Sequence, residues 1–574
     1  MRKARGSSGF CFSNPDQSRP IFPSLAAYRL AFLPRDLVAG LTLAAIAIPE
    51  QMATALLGGL SPEIGLLAFV AGSLAFAAFG ASRFLSCGAD STIAPIFAGG
   101  LALLATAGSS DYAALPAALA LMVGVNLVAG GIFRMGWIAD LLSTPVTTGF
   151  LAGVAVHIVI SQLPSVLGLH PVDGGMIPSA LFLAAHIGDA NLFTLCIGLG
   201  VLAIVGVSEQ LSVRIPGALI GLGLGTAAVI IFGLEDRGVA LVGSLPWHGL
   251  ALSIPSISIS QLAHLIPLSL LIALVVMAQT AATTRSFPSD PDQPSDVDRD
   301  YVGVGAGSIL SGLFGAFPVN ASPPRTEIVK QAGGQSQLAG MMSAAIVLVM
   351  LSFGAELLGH VPNAALGGVL LFVALRIIRI TQMAAIYRQS RGEFWLIVAT
   401  WAAIVVLPIE QGAAIGVGLS LLHGMWSITR ARAIVFKRMP GTSIWWPPIP
   451  GHPAETLPNI VVVAFQSPLS FLNAQHFRRD VLAILRDAPE PVRLVILEAS
   501  AILEIDFTAA QELRDLIRHC QIEDIVFAIA RLESVRAQDA LMRCGIEGVL
   551  GPDRVFHSVD EAVRALGGQA STVP

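Results

Sequence analysis

Apolar windows long enough to cross a bilayer recur from about Leu37 to about Thr429, separated by short polar interruptions. In hydrocarbon every backbone donor and acceptor must be satisfied inside the chain, so this pattern restricts the region to a bundle of helices. Clear windows lie near 37–58, 63–81, 112–133, 145–168, 193–209, 216–234, 265–284, 301–316, 336–354, 392–408 and 411–428. The stretches 88–107, 320–334 and 364–381 are ambiguous, and with them the count reaches roughly fourteen. Composition agrees: 54% of the residues are hydrophobic and 12% charged, where soluble domains carry about 25% charged residues.

Basic residues set the expected orientation. With the N-terminus inside, Arg83, Arg134, Arg214, Arg285, Arg299, Arg376, Arg379, Arg388, Arg391 and Arg430 fall at cytoplasmic ends. The opposite loops, near 59–62, 107–111, 168–192 and 408–411, carry no Lys or Arg, and Arg237 is the exception. An even number of spans with both termini in the cytoplasm follows, in a bacterial inner membrane. Residues 1–35 are polar and include Arg2, Lys3 and Arg5; the first apolar run has no cleavage pattern behind it and is retained as a span.

Past Arg430 the character changes. Residues 431–457 form a basic, Pro-rich linker, and 458–568 have the composition of a soluble α/β domain, with a tail at 569–574. "NIVVVAF", "VRLVILEA" and "IVFAIA" are strand-like, while "AQHFRRDVLAIL", "TAAQELRDLIRHC" and "SVDEAVRAL" are amphipathic helices. Strand and helix alternate, which predicts a small layered domain of about 110 residues.

Several function classes are excluded at this level. No GxSxG, HExxH, Walker loop or strand-linked GxGxxG occurs, so neither an enzyme nor a nucleotide-driven pump is expected, and no cofactor. The five cysteines form no CxxC pair, which argues against a zinc site or a disulfide framework, and no metal is expected. A net charge of −5 without a basic stripe argues against nucleic acid.

Four polar breaks in the apolar helices remain. "AAIAIPEQMATALLGGLSPEIGLL" places Glu50 after Pro49 at membrane depth. In "SRFLSCGADSTIAPIFAGG", Gly88 opens a span whose first turn holds Asp90, Ser91 and Thr92. "VVMAQTAATTR" puts Gln279, Thr280 and Thr283 within a span, and "FPVNASPPRTEIVKQAGG" puts Arg325 one residue into a new helix. Each has a plain structural reading: Asp90 or Ser91 caps a helix, hydroxyls bond their own helix, and Glu50 merely neutralises Arg325. Together they are spaced as two sets about seven spans apart, the pattern of an inverted-repeat transporter with broken helices at the midplane. Two facing helix N-termini favour an anion, and Arg325 adds a charge that does not titrate away. Glu327 and Lys330 serve their own helix.

"RDLVAGLTLAAIAIPEQMATALLGGLSPEIGLL", "FGASRFLSCGADSTIAP" and "GSILSGLFGAFPVNASPPRTEIVKQAGGQSQLAG" resemble the SulP family of anion transporters, and the C-terminal part resembles the STAS domain that family carries. The resemblance runs from about Arg35 to Leu566. It implies an α-helical polytopic membrane protein of about fourteen segments in 7+7 inverted repeats, a core domain moving against a gate domain, and a cytoplasmic STAS domain. It also implies homodimers through the STAS domain and the last membrane segments. The implied anion seat takes Glu50 and Thr54 from segment 1, Gly88, Ala89, Asp90 and Ser91 from segment 3, Gln279 and Thr283 from segment 8, and Ser322, Pro324, Arg325 and Thr326 from segment 10. Thr508 in "EIDFTAA" falls at the phosphorylation-loop position of related domains, or is simply a helix-start residue.

The chain departs from that pattern at three points. Gln279 stands where many members have a carboxylate, Glu50 and Asp90 are acids where many have Gln or an apolar residue, and Pro324 replaces a Ser. Glu50 or Asp90 is therefore the candidate proton-coupling group, with sodium as the other coupling ion. The expected function is secondary transport of a small anion, sulfate first, with bicarbonate or a C4-dicarboxylate next. A nucleobase transporter, an anion channel and a membrane-tethered STAS signalling scaffold are the rival readings.

Overall fold

The computed structural model describes residues 21–25, 28–102, 104–105, 110–137, 143–169, 176–212, 215–243, 249–289, 295–449, 451 and 453–570. The chain divides into two compact units, Met1–Ser420 and Leu421–Pro574.

The first unit is helical. In order it holds α1 (Leu33–Leu57), α2 (Pro62–Phe79), β1 (Ser86–Gly88), α3 (Ala94–Ala102), α4 (Ser110–Ile132), α5 (Thr144–Leu167), α6 (Met176–His186), α7 (Leu192–Leu211) and α8 (Gly217–Phe232). It continues with α9 (Ile259–Ser286), α10 (Val297–Leu313), β2 (Asn320–Ser322), α11 (Pro323–Gln331), α12 (Leu338–Phe353), α13 (Ala355–Gly359), α14 (Asn363–Ile377), α15 (Ile380–Gln389), α16 (Arg391–Val406) and α17 (Ile409–Thr429). Among the described residues, eight helices are long and apolar enough to cross a membrane, and three shorter apolar helices accompany them. The chain is thus a multi-pass membrane protein.

Two packed groups of helices emerge. In one, α10 lies on α4 and α2, and α1 on α12 and α2; in the other, α14 lies on α5 and α7, α16 on α5, and α7 on α8. Pro49 does not break α1, which runs through it, although the proline leaves the Ala45 carbonyl without its i+4 donor. Close approach of α1 and α2 depends on Gly65: a Cβ there would sit 2.0 Å from the Gln51 backbone oxygen. Gly65→Ala is therefore expected to cost about 1–3 kcal/mol through forced separation of the two helices. A thermal midpoint in detergent equal to that of the unmodified chain would show that the helices have room to spare.

Two of the ambiguous stretches become half-helices. β1 and β2 pair antiparallel, Ser86 with Ser322, Cys87 with Ala321 and Gly88 with Asn320, and each leads towards a nine-residue helix, α3 or α11. At 1.5 Å per residue such a helix covers about 14 Å, half of a bilayer core. The third ambiguous stretch is α14, a full helix. One detail differs from expectation: Gly88 ends a strand and does not open a helix, and α3 starts only at Ala94. The Asp90 carboxylate accepts from the Thr92 N–H and hydroxyl, and the resulting turn through Ser91–Ile93 delays the helix.

Two buried carboxylates outside the seat pin these half-helices in place. Asp36 accepts from Gln335 N and Ser336 N, and from Ser336 Oγ at 2.8 Å, which ties the start of α1 to the loop after α11. Asp300 accepts from Ala81 N, Ser82 N and Thr284 Oγ1, which ties α10 and α9 to the loop before β1. A buried carboxylate is stable only when several donors reach it, and both of these are so served.

The second unit contains a six-stranded sheet, β4-β3-β5-β6-β7-β8, from β3 (Ala433–Arg438), β4 (Trp445–Trp446), β5 (Ile460–Phe465), β6 (Leu494–Glu498), β7 (Val526–Ala530) and β8 (Val555–Phe556). β5 to β8 are parallel, β3 and β4 antiparallel. The helices are α18 (Ala474–Arg486), α19 (Phe507–Ile522), α20 (Val535–Arg543), α21 (Ile546–Leu550) and α22 (Val559–Ala570). Alternation along β5 feeds two cores: Val463 and Phe465 pack with Phe477 and Leu513, and Val462 and Ala464 with Ala562 and Leu566. The expected alternation of strands and helices is present. The stretch read as a linker also supplies β3, because its short run "AIVF" finds a partner in β5, Ala433 opposite Phe465. Thr508 is exposed at the second position of α19, where Asp506 caps the Ala509 N–H.

Candidate anion site between the two half-helices

The residues that the sequence singled out converge from four elements. Arg325 is the third residue of α11, after Pro323 and Pro324, and not the second as expected. The prolines suit the first turn, since their missing N–H groups have no intrahelical partner to lose. They also remove two of the free donors that a helix N-terminus normally offers, so the guanidinium carries more of the positive character there.

Arg325 is completely buried. Its Nη1 donates to Glu50 Oε1 at 2.7 Å and to the Ala89 carbonyl at 3.0 Å. Its Nε and Nη2 are also buried, and neither has a hydrogen-bond partner among the described residues. Unmet donors of a buried cation are costly, and with the guanidinium at 0% exposure an oxygen could reach either N–H only after a neighbouring side chain moves. Glu50 keeps 16% of its side-chain exposure, which leaves it in reach of water.

The Gln279 amide joins the two half-helix stretches. Its Nε2 donates to Thr92 Oγ1 at 3.0 Å, and its Oε1 accepts from Asn320 Nδ2. An ionised carboxylate in its place could accept from the Thr92 hydroxyl, which also lies 3.1 Å from Gln279 Oε1, but could not donate to it. Thr283 Oγ1 returns to the Gln279 carbonyl at 2.7 Å. Thr326 Oγ1 donates to the Ser322 carbonyl and accepts from Ser86 N at 3.1 Å, stapling β1 to α11.

A cavity of about 340 Å³ opens in front of this assembly. Glu50, Asp90, Ser91, Gln279, Ser322, Pro324 and Arg325 line it, together with Val205, Glu209, Phe372 and Arg376 from α7 and α14. Thr54, Gly88, Ala89, Thr283 and Thr326 are not on the cavity surface. Thr54 is fully buried within α1, and Gly88 packs so closely that a Cβ would meet Phe69 at 2.7 Å and Gln51 Oε1 at 3.0 Å. Ala89 contributes through its carbonyl, the two threonines through the bonds above. Glu327, expected to serve only its own helix, also lines the cavity, where it accepts from Gln331 Nε2 at 2.9 Å; Lys330 does not line it, and its ammonium lies 5.9 Å and 5.7 Å from the Phe84 and Phe287 ring centres.

Residues 33–400 match the sulfate permease family and 453–562 the STAS domain. The chain belongs to the sulfate permease family. "Probable sulfate transporter" is the name of a relative in Mycobacterium tuberculosis that is 32% identical over 540 residues, covering 94% of this chain and 96% of its own. Sulfate transporter 1.3 of Arabidopsis thaliana is 25% identical over 564 residues, covering 93% and 85%. Among solved structures, murine solute carrier 26 family member A9 in its inward-facing state superposes with a TM-score of 0.88 at 20% identity, covering 99% of this chain and 97% of its own. The transmembrane domain of a cyanobacterial bicarbonate transporter superposes at 0.61 and 23% identity, covering 69% and 98%. These two establish the fold.

For a sulfate permease family chain, the arrangement of acids here has a direct consequence. Glu50 occupies part of the Arg325 guanidinium, and Asp90 occupies the Thr92 donors ahead of α3. The chain's own carboxylates therefore hold a donor of α11 and the donors of the turn before α3. Thr92, singled out with Asp90 in the sequence, takes part through Gln279, and two more participants escaped the sequence reading: Gln51, whose Nε2 shares the Ala89 carbonyl at 3.0 Å, and Asn320. The signal for Gln51 was its adjacency to Glu50, and for Asn320 its place three residues before the prolines.

Proposed function

We propose that this chain is a secondary transporter that carries a small oxyanion, sulfate first, across the inner membrane together with protons. The observation that carries the reading is Arg325, completely buried with two unmatched guanidinium donors at a cavity between two half-helices. Bicarbonate and C4-dicarboxylates are the alternative cargoes. Sulfate is favoured by the names of the relatives that match nearly the whole chain.

Proton coupling is supported by charge. The cavity wall carries the carboxylates of Glu50, Asp90, Glu209 and Glu327 against the guanidinium groups of Arg325, Arg376 and Arg379, one formal negative charge in excess when all are ionised. A dianion entering that wall adds repulsion that low-dielectric surroundings make expensive. A proton on Glu50 or Asp90 relieves it and frees the donors that each one holds. Alternating access then moves the α1, α2, α4, α9, α10 and α12 group, with its half-helices, against the α5, α7, α14 and α16 group. Both termini lie in the cytoplasm, and the chain works as a homodimer through its STAS domain and last membrane helices.

The test is uptake into proteoliposomes of labelled sulfate, bicarbonate, succinate and uracil, with and without a pH or sodium gradient. Sulfate uptake driven by an inward proton gradient is the expected result. Uptake indifferent to any gradient would mean a channel, uracil uptake a nucleobase carrier, and no uptake at all a signalling scaffold.

A further inference from the structure

The cavity that Arg325 lines also holds a second guanidinium, Arg376, that already has a carboxylate partner. Arg376 Nη1 lies 2.9 Å from Glu209 Oε1. Arg376 is in the last turn of α14, where the negative end of the helix dipole favours a cation. Glu209 is in the last turn of α7, where the same dipole disfavours an anion. The side chains keep 39% and 29% of their exposure, so the pair is wet and half free. Ion pairs of that kind hold weakly, and exchanging the partner is cheap. The Arg325–Glu50 pair, 0% and 16% exposed, is not of that kind.

We propose that Arg376 is a second anion-binding cation, and that Glu209 is its built-in competitor. An anion approaching Arg325 displaces Glu209 and is held by both cations, one oxygen on each guanidinium. This inference rests on the anion-transport reading above. A dianion suits the pair better than a monoanion, because a second charge-assisted contact rewards a second negative charge. When the anion leaves, Glu209 takes Arg376 back and prevents the cavity from becoming a trap. The two residues belong to α7 and α14, not to the elements that carry the seat, so contact with both cations is available only while those elements line the same cavity.

The double-mutant cycle E209Q, R376Q and E209Q/R376Q separates this from a merely structural salt bridge. The readouts are the half-saturating sulfate concentration and the maximal rate of the full chain in proteoliposomes, with chloride competition as the monoanion probe. R376Q should raise the half-saturating concentration about tenfold, with the maximal rate little changed. E209Q should lower it about threefold, the opposite sign. The double variant should follow R376Q, R376K should recover most of the loss, and chloride competition should move less than sulfate affinity. A structural pair would instead give two losses of the same sign, relieved in the double variant, and that result overturns the proposal. If R376Q does not assemble, E209Q alone decides: a tighter sulfate constant supports the exchange and a weaker one refutes it. Wild-type protein that moves none of the anions tested would remove the transport reading itself, and this inference with it.

Discussion

Arg325→Ala is expected to abolish anion uptake while the protein still inserts and the STAS domain still folds. The expected fall is at least about a hundredfold, because the change removes the buried cation of the seat and leaves Glu50 uncompensated, a loss of about 3–5 kcal/mol for a broken buried pair. Part of that loss reflects the stranded carboxylate and not the missing anion contact. E50Q/R325A separates the two: it should recover expression and thermal midpoint but not uptake. Arg325→Lys should recover little, since a compact ammonium cannot reach Glu50, the Ala89 carbonyl and an anion with the fork that Arg325 uses. Undiminished uptake by R325A, measured with labelled sulfate in proteoliposomes, would end the reading of Arg325 as the anion seat.

The second large effect concerns pH. If protonation of Glu50 frees Arg325, uptake by the wild type rises as pH falls on the loading side, because the neutral carboxyl no longer holds Nη1 as an ion. Glu50→Gln is neutral at every pH, so its uptake should be flat across the range and should lose its dependence on the proton gradient. Asp90→Asn should flatten the profile if the Thr92 donors are the ones that must be released. Its amide can still accept from Thr92, so the turn before α3 is retained. Whichever variant loses the gradient dependence identifies the coupling group. Two variants that both keep the wild-type profile would exclude proton coupling through this pair of acids.

Much of the site was legible before any coordinates. Pro323, Pro324 and Arg325 could be read because a charged turn inside an apolar run has few innocent explanations, and because prolines start helices more readily than they continue them. Glu50, Asp90 and Gln279 could be read for the same reason. Local spacing misled at Asp90, where the carboxylate captures Thr92 and postpones the helix to Ala94. Arg376 was read as one more cytoplasmic-end arginine, because nothing near it in the chain announces Glu209, 167 positions away in an earlier helix. Asp36 and Asp300 each follow an arginine just before an apolar run, a signal of the same kind that passed unused. In the second unit, "AIVF" looked like an incidental run in a basic stretch, and only the antiparallel partner β5 makes a strand of it.

The sequence by itself determined that this chain crosses a membrane many times, carries a charged break at membrane depth and ends in an α/β domain. Those properties follow from the free energy of moving side chains and backbone from water into lipid, which is nearly additive along the chain. Tertiary structure alone decided which polar groups meet. It put Glu50 on Arg325, Gln279 between Thr92 and Asn320, and Arg376 in the cavity that Arg325 lines. Hydrogen bonds and ion pairs act over a few ångströms, while the partners here are separated by 41 to 275 positions in the chain, so their pairing exists only once the helices have packed.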